Sequence, residues 1–218
     1  MHELVPLHFG SESPMLPSIT IQLLRWNIGE SLTKNILDLV VDKEIHILNT
    51  TTKPSTENDP TWLTSRLWDY NLLDFEESHS IQKQIIDAYK TYMVAVGIPA
   101  ERVVYIHAWA NIIRNNGRNI YKHNHTSAHC EAPEEYSYVS GNICIQAEGT
   151  GTYYKSPFTN HQYRIENIAG DMILFPSFII HWTDVNESDT IRVSIAFDIM
   201  TEEVYNIVKN KNFKRVEV

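Results

Sequence analysis

The sequence predicts a mainly β protein, with helices packed outside a C-terminal β-sandwich or jelly-roll barrel. Three observations carry that expectation. Two segments of helical period lie before about residue 100, short β-type runs replace them afterwards, and Gly, Asn, Pro and Asp separate those runs. With 218 residues, 43% of them hydrophobic, the chain can bury one sizeable core. We expect a single unit over 1–218: a helical support over 1–100, a β core over 101–200 and a closing helix over 201–218.

The first helix is expected over GESLTKNILDLVVDK. There Leu32, Ile36, Leu37, Leu39 and Val40 make an apolar stripe of helical period, with Ser31 as a candidate cap. The second is expected over SHSIQKQIIDAYKTYMVAVG, with Ile81, Ile85, Ile86, Tyr89, Met93 and Val94 on one face and Gly97 as a stop. The polar stretch NTTTKPSTENDPTW between them reads as a loop. Eight runs then read as strands: RVVYIHAWANI, NIYKHNH, YSYVSGNICIQA, GTYYKS, HQYRIEN, DMILFPS, IIHWTDV and TIRVSIAFDIM. Eight short strands with such punctuation suit a double-sheet jelly roll. TEEVYNIVKNK reads as the closing helix.

The formal net charge is −9, which argues against a partner such as long nucleic acid, because neutralising phosphates requires a basic face. The two cysteines, Cys130 and Cys144, are too few for a disulfide framework, and a reducing, cytoplasmic compartment is expected. No apolar run reaches about 18 residues, so no membrane span is expected, and MHELVPLHFG lacks the layout of a secretion signal.

The chemistry gathers in a few positions. Residues at i and i+2 of a strand share a face, about 6.5–7 Å apart, so His123 and His125 can converge on one metal ion. His181 follows an apolar strand and the turn FPS, and further on IRVSIAF places Arg192 and Ser194 on one strand face. A forked guanidinium beside a hydroxyl suits a ligand carboxylate. Ten histidines will cluster by chance somewhere, and His107, His129 and His161 read as ordinary surface or hydrogen-bonded residues. Tyr136, Tyr138, Tyr153 and Tyr154 read as strand packing, and Glu131, Glu134 and Glu135 as a solvated loop. The weight rests on His123, His125, His181, Arg192 and Ser194 taken together.

These residues carry a resemblance. Trp109, His123-Asn124-His125, Ser140-Gly141, GDMILFPSFIIH at 170–181 and RVSIAF at 192–197 resemble the Fe(II)- and 2-oxoglutarate-dependent oxygenases, and more narrowly a group of such oxygenases in bacteria and phages. WLTSRLWDYNLL upstream resembles the same group. The resemblance implies a double-stranded β-helix and a dioxygenase using Fe(II), 2-oxoglutarate and O2 to hydroxylate a substrate, with release of succinate and CO2. Carried over residue by residue, the metal ligands fall on His123, His125 and His181, and the anchor for the distal carboxylate of 2-oxoglutarate falls on Arg192, with Ser194 beside it. The family's usual carboxylate position is occupied here by His125, and Glu131 is an alternative source of a carboxylate ligand. The resemblance also allows a phage protein made in a bacterial host.

A second resemblance competes. GRNIYKHNH and GDMILFPSFIIH match the two cupin motifs, except that Phe178 stands where the second motif has glycine and Glu131 falls late for the cupin glutamate. That reading implies a metal dioxygenase without 2-oxoglutarate. A non-catalytic barrel with incidental histidines is the third class. Arg192 downstream of His181 favours the first. The substrate, a small molecule or a protein, is left open, as is a homodimer contact through the first helical segment. The loops 126–138 and 49–62 are the candidates for setting specificity.

Overall fold

The computed structural model describes residues 2–10, 18–50, 70–113, 119–126 and 138–218, and the side chains of these except 45–50. Among the described residues ten strands are formed: β1 His2–Phe9, β2 Ile19–Asn27, β3 Val103–Ile113, β4 Val139–Gln146, β5 Gly151–Lys155, β6 Gln162–Glu166, β7 Asp171–Pro176, β8 Ile180–Thr183, β9 Arg192–Thr201 and β10 Lys214–Glu217. The helices are α1 Glu30–Thr50, α2 His79–Ala95 and α3 Glu202–Val208. Seven strands form one antiparallel sheet in the order β1-β2-β7-β4-β9-β3-β10, and a smaller sheet has the order β6-β5-β8. The two sheets are the layers of a double-stranded β-helix, with α1 and α2 outside the larger one.

Alternation along the strands explains the two layers. On β3, Val104, Ile106, Ala108, Ala110 and Ile112 point to one face; on β9, Val193, Ile195, Phe197 and Ile199 do the same. That face packs against Ile36 and Val40 of α1 and Ile81, Ile85, Ala88, Tyr89 and Met93 of α2. The opposite face of the larger sheet meets the smaller one. One end of that interior is apolar, built from Leu7, Phe9, Ile21, Leu23, Tyr154, Ile165, Ile173, Phe175 and Ile179. The other end is polar. His107, Trp109 and Asn111 of β3 stand there beside Asp198, Ala196 and Ser194 of β9, which in turn face Ser140, Asn142 and Cys144 of β4.

Three sequence expectations are corrected. The first hundred residues are not only helical, since β1 and β2 extend the larger sheet through β7. β1 is an edge strand with mostly exposed side chains, which weakens its apolar signal, and Pro6 is tolerated there because an edge leaves one row of backbone groups unpaired. Second, the helix expected over 201–218 stops at Val208. Thr201 Oγ1 caps it by accepting from Val204 N, and Lys209 ends it at φ 52. The chain then turns through Phe213, which packs on Tyr105 and Met200, and β10 pairs with β3. Third, Val94 is exposed and Ser31 lies inside the first turn of α1. Gly97 does close α2, at φ 74. Among the described residues, no helix is long and apolar enough to cross a membrane.

Candidate metal centre

Residues 119–126 run antiparallel to β8. Thr183 N donates to Ile120 O, His123 and His181 exchange backbone hydrogen bonds of 3.0 and 2.8 Å, and His125 N donates to Ser177 O at 3.0 Å. The run NIYKHNH, expected as a strand, makes only an isolated bridge here: that bridge sets His123 beside His181, and the bond to Ser177 O holds His125 next to them. The three rings have centroids 4.3, 5.0 and 5.1 Å apart, and one nitrogen of each lies within 4.8 Å of the others.

The hydrogen bonds dictate the tautomers. Nδ1 of His123 meets Tyr121 O at 2.6 Å, Nδ1 of His181 meets Ile179 O at 3.1 Å, and Nδ1 of His125 meets Asp198 Oδ2 at 2.7 Å. Carbonyl and carboxylate oxygens only accept, so each ring donates from Nδ1 and turns an Nε2 lone pair inward. Burial, then repulsion from His123 and His125, hold the His181 pKa well below its usual value, so this imidazole is neutral at pH 7. Nε2 of His125 and Nε2 of His123 lie 3.2 Å apart. Two nitrogens bound at right angles to a divalent metal, each at about 2.1 Å, would lie about 3 Å apart. The donor set therefore fits a metal such as Fe(II).

Asp198 was not singled out from the sequence, although the alternation Arg192, Ser194, Ala196, Asp198 places it on the same face. It is buried. Burial pushes its carboxyl up, but the attraction and hydrogen bond of His125, the Ser140 hydroxyl and His107 outweigh this and hold it below its ordinary value. Trp109 stacks on His125, with centroids 5.9 Å apart.

Arg192 lies deep on β9, 4% exposed, with Ser194 two residues on along the same face. Among the described residues, its Nε and Nη1 have no hydrogen-bond partner. Burial pulls its pKa down, opposed by Cys144, Tyr154 and Asp184. A buried guanidinium with unsatisfied donors calls for an anion. Tyr154 is also in this interior. It packs near His181, and its hydroxyl accepts from Asn142 Nδ2 at 3.2 Å.

His107 is buried and donates from Nε2 to Tyr70 O at 2.9 Å, and His161 is exposed. Tyr138 hydrogen-bonds Tyr89 through their hydroxyls, and Tyr153 stacks on Trp182. Burial pushes the free Cys144 thiol up to about 11. His129, Cys130, Glu131, Glu134, Glu135, Tyr136 and most of the loops 49–62 and 126–138 lie outside the described residues.

Residues 107–198 match the family described as "Putative 2OG-Fe(II) oxygenase". Similar solved structures include a prolyl hydroxylase from Trichoplax adhaerens in complex with a peptide fragment of the hypoxia inducible factor oxygen degradation domain, at 12% identity and a TM-score of 0.60, covering 85% of this chain and 86% of that one. They also include SnoN, the non-heme alpha ketoglutarate dependent epimerase of nogalamycin biosynthesis, at 10% identity and a TM-score of 0.58, covering 82% and 77%. A Pseudomonas putida prolyl-4-hydroxylase matches at 10% identity and a TM-score of 0.52, covering 83% and 88%. No curated protein matches the chain.

Proposed function

We propose, on the premise that this chain belongs through residues 107–198 to the Fe(II)- and 2-oxoglutarate-dependent oxygenases, that it hydroxylates a C–H bond of a small-molecule or peptide substrate and releases succinate and CO2. The observation that carries the reading is the joint presence of three inward-facing imidazoles and a buried guanidinium with unsatisfied donors in one interior. In this reading His123, His125 and His181 hold Fe(II), and Arg192 with Ser194 takes the distal carboxylate of 2-oxoglutarate. The bound metal, 2-oxoglutarate and O2 together supply the oxidising chemistry.

The chain's own part is placement. Each imidazole is held in one tautomer by its Nδ1 hydrogen bond, so the ligands are oriented before metal arrives. Arg192 offers a planar fork to a carboxylate, and its burial strengthens that ion pair by excluding water. Trp109 and Tyr154 wall the interior. Arg192 also favours this reading over a cupin-type dioxygenase, which needs no 2-oxoglutarate and would leave the buried cation unanswered. The likeness to a prolyl hydroxylase in complex with a peptide fragment supports a peptide as one substrate class.

The test is an anaerobic Fe(II) titration with and without 2-oxoglutarate, watching for the visible charge-transfer band of the chelate. A band that needs both components is expected. Tight Fe(II) binding without the band would move the assignment to the cupin class, and no metal binding would end the catalytic reading.

A further inference from the structure

Among the described residues, the cluster that can hold a metal consists of three imidazoles and no carboxylate. One hydrogen bond behind this cluster stands a carboxylate. We infer that Asp198, through its 2.7 Å hydrogen bond to His125 Nδ1, is a positioning residue that holds the His125 ring and raises the basicity of its Nε2 towards the metal. The inference rests on the metal-site reading above and deepens it.

The surrounding hydrogen bonds argue for this role. Ser140 Oγ donates to Asp198 Oδ1 at 2.6 Å. Its one hydrogen being committed there, Ser177 Oγ donates to Ser140 Oγ at 2.8 Å. Ser177 O in turn accepts from His125 N at 3.0 Å. The loop of contacts closes: His125 is held by its backbone through Ser177 and by its ring through Asp198, and the two anchors are tied together by Ser140. Asp198 also faces His107 across the strand pair. A carboxylate that accepts from the far nitrogen of a ligand imidazole fixes the ring and raises the basicity of the coordinating nitrogen. At His123 and His181 the Nδ1 atoms meet backbone carbonyl oxygens, those of Tyr121 and Ile179.

The experiment is an anaerobic titration with Co(II) alone of the wild type and Asp198→Asn, following affinity and the ligand-field absorption bands, beside the melting temperatures of the metal-free proteins. The amide keeps the size of the side chain and an acceptor oxygen but removes the charge. We expect affinity to fall about 10- to 100-fold and the bands to move. Wild-type affinity and spectrum in the variant would overturn the inference while leaving the metal site standing. So would lost affinity with unmoved bands, the mark of a merely structural role. A wild type that binds no Co(II) and no Fe(II) would overturn the metal site itself. If Asp198→Asn does not fold, Ser140→Ala keeps the carboxylate and removes its donor. A smaller loss in the same direction with shifted bands is then expected, and an unchanged titration would overturn the inference.

Discussion

His123 and His181 are a reciprocal pair: each backbone N–H donates to the other's carbonyl, at 3.0 and 2.8 Å, and their rings lie 4.3 Å apart between centroids. Two backbone hydrogen bonds therefore fix the spacing of two candidate metal ligands before either side chain chooses a rotamer. His181→Ala should retain this backbone pairing and lose one donor. Equilibrium dialysis is expected to show Fe(II) binding reduced below that of any Asp198 variant, with circular dichroism of the folded protein preserved. Metal binding at wild-type strength would remove His181 from the ligand set.

Arg192→Met should separate anchoring from metal binding. Without the guanidinium, the 2-oxoglutarate concentration needed for succinate formation should rise steeply while Fe(II) affinity stays near the wild-type value. The metal-free variant should also melt no lower than the wild type. A buried cation with unsatisfied donors costs free energy, and an apolar side chain of similar length removes that cost. A markedly lower melting temperature would mean that Arg192 has a structural partner.

The pH dependence of stability should carry the mark of His107. Burial lowers its pKa, outweighing the Tyr70 carbonyl and the Asp198 and Asp74 carboxylates that raise it. The unfolded chain therefore takes up a proton near pH 6.5 that the folded chain refuses. Stability is complete above that pH and declines as pH falls towards 5. His181 acts in the same direction. In His107→Gln the decline from pH 7 to 5, read from thermal melts of the metal-free protein, should be shallower than in the wild type. Equal slopes would show that His107 titrates normally in the fold.

Gly141 should not tolerate a methyl group. A Cβ there would stand 2.2 Å from Cζ of Phe197, a fully buried residue of the core that the larger sheet shares with α1 and α2. Gly141→Ala should cost about 1–3 kcal/mol, read as a lower urea midpoint. Gly141→Ala with Phe197→Leu should recover part of it. A single variant as stable as the wild type would mean that the Phe197 ring has room to move.

Much of the fold is legible in the sequence because its signals are local. The alternation in TIRVSIAFDIM marks β9, and the helical stripe from Ile81 to Met93 marks α2. His123, His125, His181, Arg192 and Ser194 stand out by residue type and strand period. The signal is weak where burial comes from one side only. β1 exposes most of its side chains and β10 is four residues long, so neither has an apolar run to announce it. The closing segment 201–218 looks helical throughout until Lys209 enters the left-handed region and Phe213 finds Tyr105 and Met200.

By itself, the sequence marked α1, α2 and the strands β3 to β9, and put His123, His125, His181, Arg192 and Ser194 forward by residue type and period. These properties follow from the 2.0 and 3.6 residue periods, which need no long-range partner. Only the tertiary structure decided the rest. It set His123 against His181, turned each Nε2 lone pair inward, left Arg192 buried with unsatisfied donors and brought Asp198 to the back of His125. The physical reason is distance along the chain. Hydrogen bonds between residues 58 and 73 positions apart, such as Ser140 to Asp198 and His125 to Asp198, arise from sheet register. Register is settled when whole faces are buried together, not by any neighbouring residue.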